Sequence, residues 1–389
     1  MRIALAHDSF TQMGGAERVV DALHELFPDA PVFTLVFDPK FNQKYKGWDI
    51  QTSRLQALYL ALGKLQYLLP LIPWGVDSLN LELYDIVISS SSSWIKNIRV
   101  PKNCIHINYC HTPTRFLWSD SDYLKQEVAW WQRPFVKLIL RRMKDWDLKG
   151  SRRVTKFLAN SKEVQSRIKK YYNRDSEVVY PFVDMEFWTP AIYNRHREES
   201  GALAGRRGDL SKEKIASDAL AMTNSRGYFL LAGRLQPYKK LDLIIEIFNE
   251  LNLPLHVVGT GRHEQYLKSV AKPNIKFFGR VSDEQLREQY QGAKALIFPQ
   301  IEDLGLMPLE AAACGTPTLA YGQGGALETI IAGQTGEFFS DYNKEKIKQI
   351  ILSWNSEKYT SDALRSQSEK FSKEKFKESI LKVINENRG

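Results

Sequence analysis

The stretch from Pro299 to Ala313, PQIEDLGLMPLEAAA, decides how the chain is read. It follows a short apolar run, Ala295 to Phe298, which reads as a strand. Beyond Glu302 and Gly305 a helix is expected, with Pro308 and Glu310 in its first turn. A strand that passes through a short loop into a helix is the repeating unit of parallel sheets covered by helices. The free amides and macrodipole at such a helix start favour an anion, and Gly305 lets a phosphate approach the backbone. A diphosphate suits this place.

The same rhythm extends in both directions. Strands are expected at Tyr228 to Ala232, Leu255 to Val258, Ile275 to Phe278 and Thr316 to Ala320, and Ser282 with Gln285 forms a capping-box pattern. Upstream, strands are expected at Arg2 to Ala6, Val32 to Phe37, Tyr84 to Ser89, Ile105 to Tyr109, Lys156 to Ala159 and Val178 to Tyr180. The clearest helix of that half runs from Ala16 to Phe27. The fold class is therefore α/β, with two doubly wound sheets. Between the halves, Tyr193 to Arg226 is charged, glycine-containing and without an apolar period, and reads as a linker or exposed insertion. Ser361 to Asn387 reads as helical, with Leu364, Phe371, Phe376, Ile380 and Ile384 as its apolar stripe.

A length of 389 residues fits two to three domains at about 150 residues each, and 43% hydrophobic residues exclude general disorder. The net charge of +9 favours anionic partners without choosing among them. Cys104, Cys110 and Cys314 are scattered and form neither a disulfide framework nor a zinc site, so reduced core thiols are expected. The start of the chain lacks signal-peptide features, which implies a cytoplasmic protein. The Leu55 to Val76 region is interrupted by Lys64, Gln66, Pro70, Pro73 and Gly75 and falls short of the ~20 apolar residues of a membrane span.

Glu302 stands at the end of a strand, where open α/β sheets bind ligands, and its carboxylate suits sugar hydroxyls. Glu310 suits a ribose, although an acid in a first helical turn is favourable without any ligand. Arg234, after the strand ending at Ala232, can grip phosphate oxygens while Lys239 or Lys240 adds a compact charge. The alternative is a solvated basic turn. Gly259-Thr260-Gly261 is only half a dinucleotide fingerprint. Gly14-Gly15 is either a phosphate or acceptor loop or a tight turn.

Taken together, GGAERV at Gly14 to Val19, YCHTPTRFLW at Tyr109 to Trp118, AGRLQPYKK at Ala232 to Lys240, VVGTG at Val257 to Gly261, FGRV at Phe278 to Val281 and EDLGLMPLE resemble the retaining nucleotide-sugar glycosyltransferases of family 4. The resemblance covers nearly the whole chain. It implies the GT-B fold: an acceptor-binding domain over residues 1–185, a nucleotide-sugar domain over 186–370, and a terminal helix at 371–389 that crosses back onto the first. It also implies catalytic roles for His111, Glu302, Arg234 and Lys240, with Lys240 preferred to Lys239 by its spacing from the arginine. Donor contacts are implied at Gly15, Arg234, Lys240, Gly259, Arg280, Val281, Glu302, Gly305, Leu306 and Glu310. The family loop usually has an aromatic or similar residue and then glycine after its first glutamate. Here Asp303-Leu304 precede Gly305, a departure that bears on sugar preference.

The resemblance is nearest to the bacterial O-antigen mannosyltransferase branch. It implies a hexose transferred from GDP-mannose, with UDP-hexoses next, to a lipid-linked oligosaccharide or polysaccharide, without prosthetic group or metal. A nucleotide-sugar epimerase and a non-catalytic sugar-nucleotide binder are the alternatives. Asp120-Ser121-Asp122 has the D-x-D form of metal-dependent transferases but lies in a polar loop where Ser and Asp serve as caps. From Arg133 to Lys156 basic residues interleave with Phe135, Leu138, Ile139 and Trp146, following Trp130 and Trp131. That pattern fits contact with an anionic membrane surface as well as an ordinary solvated face. No nucleic-acid module accompanies the charge.

Overall fold

The computed structural model describes residues 1–118, 133–191 and 227–387. The segment 193–226, Asp120, Asp122, Trp130 and Trp131 lie outside the described residues. The chain forms two compact units, Met1–Pro181 with Phe376–Gly389, and Phe182–Lys375.

The first unit is built on strands β1 (Ile3–His7), β2 (Val32–Thr34), β3 (Ile50–Thr52), β4 (Ile86–Ser91), β5 (Ile105–Cys110), β6 (Lys156–Ala159) and β7 (Ser176–Val178). They form one sheet in the order β3, β2, β1, β4, β5, β6, β7, and every pairing is parallel. All six residues of β4 are buried. Its apolar half, Ile86 to Ile88, is what a covered parallel strand requires. Its serine half stays in the sheet because neighbouring side chains satisfy the hydroxyls: Ser89 Oγ lies 2.8 Å from His106 Nε2, and Asn108 Nδ2 donates to Ser91 Oγ at 2.9 Å. The end of the chain belongs to this unit. Phe376 packs edge-on against Tyr109 at 5.7 Å, and Lys377 pairs with Glu25 at 2.8 Å.

The second unit carries β8 (Tyr228–Ala232), β9 (Leu255–Val258), β10 (Ile275–Gly279), β11 (Ala293–Phe298), β12 (Thr318–Tyr321) and β13 (Gly336–Phe339). Their order is β10, β9, β8, β11, β12, β13, again parallel throughout. The helix Leu241–Leu251 shows why it packs there. Leu241, Ile244, Ile245 and Phe248 repeat at helical spacing, are buried, and join Leu231, Val257 and Ile297 in one apolar cluster. In both sheets the strand order reverses beside the first strand, between β1 and β4 and between β8 and β11. A doubly wound sheet opens a crevice at the carboxyl ends of strands at such a point.

Several boundaries differ from the sequence reading. Pairing of the second strand stops at Thr34, and the strand expected at Val178 to Tyr180 pairs instead as Ser176–Val178, in register with Phe157 to Ala159. The terminal helical stretch is two helices, Ser361–Glu369 and Lys373–Glu386. At the break the Phe371 carbonyl accepts the Val183 amide at 2.8 Å. The capping box is present, with Gln285 N donating to Ser282 Oγ at 3.2 Å and Ser282 N to Gln285 Oε1 at 3.0 Å. The three cysteines are buried thiols, and burial pushes Cys104 up to about 11. Among the described residues no helix is long and apolar enough to cross a membrane.

Candidate functional site

In the second unit three neighbouring strands carry a glycine with positive φ at their last residue or directly after it: Gly233 at 123°, Gly259 at 127° and Gly279 at 66°. Gly233 N donates to Val258 O at 2.9 Å, and Gly259 N donates to Gly279 O at 2.7 Å, so the turns are stitched side by side. A Cβ on Gly259 would lie 1.9 Å from Gly233 O, and one on Gly261 would lie 2.1 Å from Leu235 O. The Gly259-Thr260-Gly261 sequence is thus explained by close backbone approach between adjacent strand ends.

Arg234 is exposed immediately beyond Gly233. The following turn, Pro237–Lys239, and the residue after it send two adjacent lysines in different directions. Lys239 is 6% exposed, and its Nζ lies 2.8 Å from Glu302 Oε1. Lys240 takes φ 57°, is exposed, and holds its Nζ 5.8 Å over the Tyr342 ring. The lysine brought to Glu302 is therefore Lys239, in contrast to the preference for Lys240 drawn from spacing. The left-handed residue at the turn separates them, and a linear spacing does not show it.

Glu302 lies in a loop braced by two glycines that the sequence reading passed over. Gly325 N donates to Glu302 O at 2.9 Å, and a Cβ on Gly325 would lie 2.1 Å from Leu304 Cα. A Cβ on Gly324 would lie 2.8 Å from Glu302 O. The signal was the GQGG run, Gly322 to Gly325, directly after a strand. Gly305 has φ 86° and its Cβ position faces the Phe298 ring at 3.1 Å, so glycine is needed there for conformation. The helix then begins at Leu306, which puts Glu310 in its second turn, not its first. Glu310 is buried and accepts from Tyr290 OH at 3.3 Å. Arg280 and Val281 directly follow the end of β10. Topology thus gathers Arg234, Lys239, Gly259, Arg280, Val281, Glu302, Gly305 and Leu306 at the carboxyl edge of β10, β9, β8 and β11.

In the first unit Gly15 opens the helix Gly15–Leu26 and is exposed. His111 follows β5. Its amide donates to Ser91 O at 2.8 Å, its Nε2 lies 2.8 Å from Ser90 Oγ, and its ring meets Tyr109 edge-on at 5.1 Å. Burial of the ring, and secondly His7, push His111 down to about 3, so the imidazole is neutral over the ordinary pH range. Asp8 was not singled out by sequence, yet it organises this end of the sheet. Its Oδ2 accepts from Ser92 N at 2.6 Å and Ser93 N at 2.8 Å, and its Oδ1 from Trp94 N and Ile95 N at 2.8 Å each. An amide nest of this kind suits an anion, and here the protein's own carboxylate fills it.

The helix Arg133–Ser151 exposes Lys137, Arg141, Arg142, Lys144 and Lys149. Phe135 is 68% exposed on the same helix, and Leu60, Tyr67 and Trp74 are exposed elsewhere in the unit. Among the described residues no cluster of three or more His, Cys, Asp or Glu has metal-site geometry.

Comparison with known proteins gives this arrangement a context. Residues 13–187 match the family model Glycosyltransferase Family 4, and residues 213–375 match Glycosyl transferases group 1. The D-inositol 3-phosphate glycosyltransferase of Arthrobacter sp. (strain FB24) is 26% identical over 214 residues, 50% of this chain and 46% of that protein. The GDP-mannose-dependent monoacylated alpha-(1-6)-phosphatidylinositol monomannoside mannosyltransferase of Corynebacterium glutamicum is 28% identical over 149 residues, 34% of this chain and 39% of its own length. The chain thus spans less than half the length of these curated relatives. Among solved structures, Anabaena Alr3699/HepE in complex with UDP superposes with a TM-score of 0.67 at 14% identity, covering 99% of this chain and 100% of that one. WaaG, a glycosyltransferase involved in lipopolysaccharide biosynthesis, gives 0.63 at 14% identity over 100% of both chains.

Proposed function

We propose that this GT-B protein, a Glycosyltransferase Family 4 domain followed by a Glycosyl transferases group 1 domain, transfers a hexose from a nucleotide sugar with retention of configuration. The observation that carries the reading is the buried Lys239 held at 2.8 Å on Glu302, at the strand-order reversal of the second sheet. A cation and a carboxylate at one strand edge match the two ends of a sugar diphosphate. In this reading Lys239 and Arg234 bind the diphosphate, Glu302 accepts from sugar hydroxyls, Glu310 serves the ribose, and Gly259, Arg280, Val281, Gly305 and Leu306 line the nucleotide. Gly15 and His111 serve the first domain's side of the reaction.

The acceptor hydroxyl attacks the anomeric carbon on the face from which the diphosphate departs. The bond from that carbon to the phosphate oxygen breaks, and the leaving diphosphate takes both its electron pair and the acceptor's proton. No carboxylate of the protein becomes a covalent nucleophile. Positive charge from Arg234 and Lys239 stabilises the departing group, the role a metal ion plays in other transferases.

GDP-mannose is the leading donor, in keeping with the Corynebacterium glutamicum relative. A UDP-hexose is the second reading, favoured by the Anabaena protein being solved with UDP and glucose. A thermal-shift titration with GDP, GDP-mannose, UDP and UDP-glucose, with and without EDTA, separates the two. A ligand at about 100 times its Kd stabilises the folded state by about 2.7 kcal/mol. For a unit of this size that corresponds to a rise of roughly 5–10 °C. An EDTA-insensitive shift confined to the guanine ligands is expected. A uridine-selective shift reassigns the donor, and no shift at millimolar ligand overturns the site.

The proposed acceptor is a lipid-linked oligosaccharide or polysaccharide, met at the cytoplasmic membrane face by the basic Arg133–Ser151 helix. Each basic residue near an anionic surface contributes about 1 kcal/mol. Arg141→Glu with Arg142→Glu should therefore weaken co-sedimentation with anionic vesicles by at least about tenfold at low salt. Full recovery of the unaltered protein in the supernatant would remove the membrane from the proposal.

A further inference from the structure

His7 and Glu17 are 2% and 4% exposed, and nothing in the proposed reaction uses them. His7 ends β1, and Glu17 lies in the first turn of the Gly15–Leu26 helix, in the GGAERV motif. Hydrogen-bond chemistry constrains the histidine. Its Nδ1 lies 3.2 Å from the Ser90 carbonyl oxygen, which can only accept, so Nδ1 carries a proton. Its Nε2 has no hydrogen-bond partner and faces Glu17 Oε1 at 3.5 Å, within ion-pair distance. A neutral ring would present a lone pair to the lone pairs of a carboxylate there. The first-turn position of Glu17 favours the anion through the helix macrodipole. A second ring proton turns the clash into an attraction.

We propose that His7 and Glu17 form a buried imidazolium–carboxylate couple that positions His111 through Ser90. Ser90 is held from both sides: its carbonyl accepts from His7 Nδ1, and its hydroxyl meets His111 Nε2 at 2.8 Å. The same residue therefore links the couple to the ring that follows β5. The positive ring also favours a neutral His111, in line with the lowered value described above. Glu17 Oε2 reaches within 3.3 Å of where a Gly14 Cβ would sit, so the couple underlies the glycine pair as well. The assignment of a positioning role rests on the transferase reading of His111. The protonation state of the couple does not.

Nitrogen-15 NMR of the histidine rings in the full chain, at about pH 7, tests the couple directly. His7 is expected with both ring nitrogens protonated and His111 with one, resonances being assigned by His7→Asn and His111→Asn. A bare ring nitrogen on His7 in the unaltered protein overturns the couple, and this arm needs no variant of Glu17 to fold. Glu17→Gln keeps the shape and can donate to a neutral ring. It should take one proton from His7 and shift the His111 ring-nitrogen signals, and unchanged His111 signals overturn the link through Ser90. With the nucleotide sugar identified by thermal shift, Glu17→Gln and Ser90→Ala should each lower kcat about tenfold, as expected of a displaced group, with KM within about twofold. A fall explained by lost melting temperature, or an unchanged kcat, overturns the positioning role. If the unaltered protein consumes no nucleotide sugar, the transferase reading fails and the NMR result alone judges the couple.

Discussion

Lys239→Ala is expected to lower kcat/KM for transfer by on the order of 10²–10³-fold, the usual cost of removing a group that stabilises charge in the transition state. Lys240→Ala, one residue further on, should stay within about threefold, because an exposed lysine away from the reacting charge contributes little. The contrast follows from the turn. Lys239 is buried against Glu302 at 2.8 Å, while Lys240 leaves in a left-handed conformation toward Tyr342. Glu302→Ala should abolish transfer to a similar degree yet retain binding of the nucleoside diphosphate, since Lys239 is then released to the phosphates. Lys239→Ala should weaken both. The Glu302 and Lys239 double variant should be no worse than about the worse single variant, because residues that act as a unit are not additive. Steady-state kinetics on the four proteins decide it. A larger loss in Lys240→Ala than in Lys239→Ala would return the phosphate role to Lys240 and break the geometric assignment.

The strands that could be read to the residue, Lys156–Ala159, Tyr228–Ala232 and Leu255–Val258, are compact apolar runs whose flanks break the pattern. β3 and β13 were invisible for a physical reason. Each lies at a sheet edge, and Ile50–Thr52 and Gly336–Phe339 carry polar or glycine residues where a central strand would be apolar. The strand expected at Tyr84 to Ser89 missed Ser90 and Ser91 at the end of β4, whose hydroxyls are met by His111 and Asn108 from β5 and the residue after it. The site shows the same division. Glu302, Gly305 and Arg234 were legible because strand ends mark the place where doubly wound sheets bind ligands. Which of two adjacent lysines turns inward depends on one backbone angle, and the bracing of Glu302 by Gly324 and Gly325 depends on a contact across more than twenty residues of chain. Neither is a property of local sequence.

The largest effect on stability is expected from an acidic residue inside the basic stretch from Arg133 to Lys156. Asp147 is 0% exposed and Lys96 1%, and they form a buried ion pair. Asp147 also accepts from Trp118 Nε1 at 2.8 Å and Tyr172 OH at 2.9 Å. Burial, and then Asp147, push the Tyr172 phenol well up, so it remains a donor. One carboxylate thereby joins the Arg133–Ser151 helix, the Lys162–Tyr172 helix, the turn after β4 and the end of the segment that begins at His111. Packing at the next turn is equally tight, since a Cβ on Gly150 would overlap Asn97 Oδ1. Asp147→Ala leaves the Lys96 ammonium buried without its counter-ion, a change that costs about 3–5 kcal/mol. For a unit of this size calorimetry should show its transition falling by roughly 6–20 °C. Asp147→Leu combined with Lys96→Met removes both charges and should recover the part of that loss due to the unpaired ammonium, while the Trp118 Nε1 and Tyr172 OH donors, left without their acceptor, keep the rest. A fall of less than about 2 °C in Asp147→Ala would show that water or a rearranged Lys96 satisfies the charge, and that the hub is not what holds the basic helix against the sheet.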